Sequence, residues 1–77
     1  MSYGYTTRLG SLNKLADGSM LGVKLGRVCI RKEVPAAQVA SQLGVSRQAV
    51  YNWFSGVHTP SKELTASIKQ LIIEYKK

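Results

Sequence analysis

Residues 38–56 read "QVASQLGVSRQAVYNWFSG", and Gly44, in the middle of that stretch, decides the fold. Val39, Ala40 and Leu43 precede it at helical spacing, and Val50 and Trp53 follow in the same way. In a continuous helix an interior Gly costs about 1 kcal/mol against Ala. Just past a helix end, by contrast, the chain often turns left-handed, which costs a residue with a Cβ about 1–2 kcal/mol and Gly almost nothing. Gly44 therefore closes one helix, and Ser46, a good N-cap, opens the next. So short a turn makes the two helices cross steeply, as a helix-turn-helix, with Val45 pointing into the joint.

Outward from this corner the chain reads as helices throughout, with no strand signal and no internal repeat. The helix before Gly44 starts near Pro35, whose missing N–H suits a first turn, and buries Ala36, Val39, Ala40 and Leu43. The helix after it runs from about Arg47 to Phe54 and stops at Gly56. Upstream, Ser19 is placed to cap a helix from about Met20 to Glu33. Leu21, Leu25, Val28 and Cys29 form its inner side, with Val23 and Ile30 widening the apolar arc. Gly22 and Gly26 allow another backbone to approach it closely. Lys24, Arg27 and Arg31 share its outer face, read here as a solvated stripe, with a second DNA patch as the alternative. After the turn "VHTP", Ser61 is placed to cap a last helix reaching about Tyr75, with Leu64, Ile68, Leu71, Ile72 and Tyr75 as its inward stripe. Residues 1–18 form an N-terminal arm, either flexible or a short helix on Leu9, Leu12, Leu15 and Ala16. Residues 19–77 form the helix-turn-helix domain. The expected fold is thus an all-α, compact four-helix domain, or five-helix if the arm folds.

Seventy-seven residues, 44% of them hydrophobic, make one small globular domain. No stretch is apolar enough for a membrane span or a signal core, so the chain is expected to be soluble and cytoplasmic. Cys29 is the single cysteine, so no internal disulfide is possible. Cys29 and His58 are the only soft ligands, which argues against a metal site, and Cys29 falls on an apolar helix face as a core residue. The four acids, Asp17, Glu33, Glu63 and Glu74, are scattered, and no nucleophile–base pair stands out, so no enzyme and no cofactor is expected. Eleven Lys and Arg against four acids give a net charge of +7, which favours polyanionic partners, nucleic acid before a membrane surface. The basic residues share no helix with an exposed apolar face, which weakens the membrane alternative.

The stretch "QVASQLGVSRQAVYNWFSG", ending in an aromatic pair, a Gly and a Pro-containing loop, resembles the helix-turn-helix family of phage lambda repressor and Cro-type regulators. The likeness covers about residues 20–72 and is sharpest over 36–56. It implies a compact helical domain whose helix from Arg47 enters the DNA major groove. A nearly twenty-residue arm is long for that family, and Ala36 stands where many members place a polar, phosphate-reaching residue. What the resemblance implies is a sequence-specific double-stranded DNA-binding protein. It would act as a transcriptional regulator of the Cro or repressor kind in a bacterial or phage-infected cell.

The chemistry of the helix from Arg47 agrees. Arg47, Gln48 and Tyr51 point outward while Val50 and Trp53 turn inward. Arg suits guanine O6/N7, and Gln suits adenine N6/N7. Ala49 lets the helix approach and offers a methyl to thymine, and Asn52 flanks the arc. These five residues are the base-reading candidates. Gln38, Ser46, Ser55, His58 and Lys62 are the phosphate-binding candidates. Ser46 is first of all a cap, and His58 has the alternative of a plain exposed loop side chain. Trp53 is read as core rather than as a stacking platform. Phe54 either covers the last helix or stays partly exposed. Ile73, with Ala66 nearby, is the candidate homodimer contact. A rival reading keeps the same helices as an architectural or protein-interaction module without strong sequence preference.

Overall fold

At the predicted corner Gly44 adopts φ 69° and ψ 34°, the left-handed conformation. The N–H groups of both Gly44 and Val45 reach the Ala40 carbonyl, the latter at 3.0 Å, so the helix end is closed by its own backbone. The helix that follows starts as expected. Ser46 has extended dihedrals, and its Oγ accepts the Ala49 N–H at 3.1 Å.

The computed structural model describes residues 7–77, and among these residues the protein is all-helical, with no strand. Five α-helices succeed one another: α1 (Thr7–Leu15), α2 (Leu21–Lys32), α3 (Ala36–Leu43), α4 (Arg47–Ser55) and α5 (Thr65–Lys76). A single 3-10 turn, Lys62–Leu64, leads into α5. The residues 1–6 of the arm lie outside the described residues.

α2 is the central element, packing on both α4 and α5, while α3 packs on α4. Its two glycines explain how. A Cβ at Gly22 would stand 2.7 Å from Trp53 Cβ, and one at Gly26 would stand 2.8 Å from Phe54 Cγ. No other residue leaves α4 room to lie this close. The core beneath them joins Leu25 and Cys29 of α2, Val39 and Ala40 of α3, Val50, Trp53 and Phe54 of α4, and Ile68 and Leu71 of α5. Trp53 is core, as its spacing predicts. Phe54 does more than expected: it is fully enclosed, the largest such side chain, because α2 and α1 close over it.

Four local expectations need correction. The first concerns the arm, which takes the helical one of its two expected states as α1 and docks on α4 and α2, but with Leu12 and Leu15 turned outward. Leu12 and Leu15 are 42% and 85% exposed, and only Leu9 of the three leucines packs against the core. The buried residue is Asn13, 3% exposed. Its Nδ2 donates to the Phe54 carbonyl at 2.6 Å and to the Val23 carbonyl at 3.3 Å. Phe54 is in the last turn of α4, where carbonyls have no intrahelical partner, so a side-chain donor is worth more there than another apolar contact.

Second, Ser19 does not cap α2. Met20 holds the N-cap position without a side-chain bond, and Ser19 instead donates its N–H and Oγ–H to Asp17 Oδ1 at 2.9 and 2.8 Å. Those two bonds hold the exposed Asp17 carboxyl below its usual range. Third, Arg27 is not simply part of a solvated stripe. Its Nη2 reaches the Ala16, Lys14 and Asn13 carbonyls at 3.0, 3.4 and 3.5 Å, and so covers the C-terminal end of α1. Fourth, Ser61 opens the 3-10 turn through its backbone carbonyl, at 3.0 Å from Leu64 N, rather than through its hydroxyl.

One strained position stands out. Glu33 ends α2 in the left-handed region, φ 65°, where its N–H and that of Val34 both bond the Cys29 carbonyl. Pro35 two residues later forbids the helix to continue and forces the turn at Glu33.

Candidate nucleic-acid interface

α4 is amphipathic in the strict sense that its two sides have separate work. Val50, Trp53 and Phe54 anchor it, at 0, 5 and 0% exposure. Arg47 and Gln48 stand in solvent at its N-terminal turn, and Ala49, Tyr51, Asn52 and Ser55 are half-buried along the same helix. All five base-reading candidates sit on one nine-residue element. Ala49 and Tyr51 pack in part against the core, Tyr51 contrary to its expected outward position, so Arg47, Gln48 and Asn52 make up the more open arc.

The polar groups on that arc are partly organised already. Gln48 Nε2 donates to Asn52 Oδ1 at 3.1 Å, one helical turn away. The pair then keeps the Gln48 carbonyl and one of its N–H groups, together with the Asn52 NH₂, for an outside partner. An N–H and a carbonyl side by side match the N7 and N6 of adenine. Arg47, unpaired with any described carboxylate, is the one cation of α4.

The phosphate candidates are spread more widely. Ser46 remains exposed, and while its oxygen accepts from Ala49 N–H its own proton is free to donate. The Ser55 hydroxyl donates back to the Tyr51 and Asn52 carbonyls at 3.0 and 3.3 Å, so its single proton is spent inside the helix. His58 is exposed in the loop after Gly56, and its backbone N–H bonds the Asn52 carbonyl at 3.3 Å, which holds the loop against the C-terminal end of α4. Lys62 is exposed at the start of the 3-10 turn. Gln38 is exposed on α3 but faces another neighbour. It is a polar contact of the Tyr75 hydroxyl, which donates to Gln42 one turn further on. Burial pushes the Tyr75 phenol above its usual value, against the lowering effect of the Gln38 contact. Gln38 thus has a neighbour in α5.

Sequence reasoning passed over Asn13, the residue that ties α1 to the last turn of α4. Its signal was its position four residues after Leu9, on the same helical face. Cys29 lies in the core, where loss of hydration pushes its thiol up to about 12 and keeps it protonated. Among the described residues no three His, Cys, Asp or Glu come together to hold a metal ion, and no helix is long and apolar enough to cross a membrane.

Compared with protein-family models, with curated proteins and with solved structures, the chain matches none. The functional reading rests on its own residues.

Proposed function

We propose that this protein binds double-stranded DNA sequence-specifically and regulates transcription in a bacterial or phage-infected cytoplasm, in the manner of the Cro-type regulators its sequence resembles. One observation carries the reading. α4 follows a two-residue turn, is fastened from behind by Val50, Trp53 and Phe54, and offers Arg47 and the Gln48–Asn52 pair on its free side. A rigid helix with a basic, amide-bearing N-terminal turn is what a major groove accepts. The net charge of +7 supplies the general attraction to phosphate, and the exposed Ser46, His58 and Lys62 would anchor the flanking backbone. Such a regulator acts by occupancy and performs no chemistry of its own. Ile73 of α5, 54% exposed on the same helical face as the exposed Ala66 two turns earlier, is the contact through which two copies would pair on a palindromic site.

Selection of ligands from random duplex DNA tests the proposal. A specific regulator enriches one motif, with half-sites about one helical turn apart if it binds as a dimer. Its affinity falls steeply with salt while remaining at least about a thousandfold above that for random sequence. If no motif is enriched, the architectural or protein-interaction reading takes its place.

A further inference from the structure

α1 and α2 do not close on one another along their whole length. Between them lies an open cleft of about 520 Å³, with Gly10, Ser11 and Lys14 on one wall and Arg27, Ile30 and Arg31 on the other. Among the described residues no acidic side chain lines it. Asp17, the acid nearest in sequence, is engaged by Ser19 and interacts with Arg27. Lys14 and Arg31 are exposed and have no carboxylate partner among the described residues. Arg27 is held in place by the α1 carbonyls, so one cation of the wall is already oriented.

This cleft belongs to a different side of the protein from the reading arc. Gly22 and Gly26 mark the side of α2 that meets α4. At 100° per residue the direction of Arg27 and Arg31 is roughly 140° away from theirs around the helix axis. A duplex lying against the outer face of α4 would therefore not reach these cations.

We propose that the α1–α2 cleft docks an acidic peptide segment of a protein partner, its carboxylates on Lys14, Arg27 and Arg31 and an apolar side chain on Ile30. Shape and charge both select this occupant. Gly10 adds no side chain to the wall, and a Cβ there would meet nothing within 4 Å, so an extended backbone can enter. A half-buried Ile30 between cations favours a ligand that carries an apolar group beside its charges, which a phosphate backbone lacks.

The test is fluorescence anisotropy with a labelled ten-residue peptide of four Glu around a central Leu. Matched probes carry Lys for Glu, or Ser for the Leu. Saturable binding of the Glu–Leu peptide alone is expected, weakened about tenfold in the Lys14→Glu/Arg31→Glu double variant and unchanged in Arg47→Ala. Amide shifts in the NMR spectrum should gather on Gly10, Ser11, Lys14, Ile30 and Arg31, and a 20-base-pair duplex should not compete. Both substituted side chains are exposed, so the variant is expected to fold, which its circular dichroism checks. Equal binding of the Leu and Ser peptides, equal affinity of the double variant, shifts spread over α4 and α5, or displacement by the duplex would each overturn the proposal.

Discussion

Asn13 and Phe54, 41 residues apart, are joined by a 2.6 Å hydrogen bond from the Asn13 carboxamide to the Phe54 carbonyl. The same carboxamide also donates to the Val23 carbonyl, so both of its N–H groups are used and α1, α2 and α4 meet at one side chain. A buried donor in this position fixes where α1 lies, because shifting it would leave the carboxamide buried without its two acceptors.

Asn13→Leu is therefore expected to destabilise the fold by about 1–3 kcal/mol, although it adds apolar surface. Hydrogen exchange locates the damage. Protection should fall first in Thr7–Leu15 while residues 69–75 of α5 stay protected. Uniform loss over all five helices would mean that α1 is no separate unit.

The glycines of α2 predict opposite signs from those of a free helix. Gly10→Ala in α1 has open space and should gain about 0.5–1 kcal/mol from helix propensity alone. Gly26→Ala must fit a methyl 2.7 Å from Asn13 Nδ2 and 2.8 Å from Phe54 Cγ. It should lose about 1–3 kcal/mol net, as should Gly22→Ala against the Trp53 backbone. Urea unfolding of the three variants decides the matter.

Backbone conformation makes a separate pair. A Cβ at Gly44 meets nothing within 4 Å, so Gly44→Ala costs only the left-handed strain, about 1–2 kcal/mol. Glu33 already carries such strain at φ 65°, and Glu33→Gly should relieve it, gaining about 1 kcal/mol in thermal unfolding despite the added chain entropy. A loss at Glu33→Gly would show that its side chain contributes something the geometry does not reveal.

On α4, anchoring and recognition should separate cleanly. Trp53→Ala is expected to cost about 3–5 kcal/mol of stability, enough to unfold much of so small a domain. Arg47→Ala, exposed, should leave the melting temperature unchanged and weaken binding to a selected site by about 1–3 kcal/mol, relaxing preference at one base pair. An equal loss on every sequence would make Arg47 a phosphate anchor instead.

Stability should also decline in alkali through Cys29. Burial raises its folded pKa from 9.0 to about 12, so the folded state holds its proton after the unfolded state has lost it. The contribution is intact below pH 9 and is lost progressively between there and about pH 12, at up to about 1.4 kcal/mol per pH unit. Urea midpoints measured from pH 8 to 10.5 should fall more steeply for the wild type than for Cys29→Ala; parallel slopes would contradict the assignment.

The helix order and the corner at Gly44 were legible from residue types alone, because they depend on local physics. A glycine that tolerates φ 69°, a Ser that bonds the N–H three residues on and a Pro that halts a helix each act within a few residues. The inward positions of Val50, Trp53, Ile68 and Leu71 followed from a 3.6-residue period for the same reason. What only the tertiary structure decided is which partner each polar group chooses. Ser19 turned to Asp17 rather than to α2, Arg27 reached the carbonyls of α1, and Asn13 displaced two leucines from the interior. Carbonyls without an intrahelical partner attract whichever donor the packing brings near, and that neighbour can be 41 residues away.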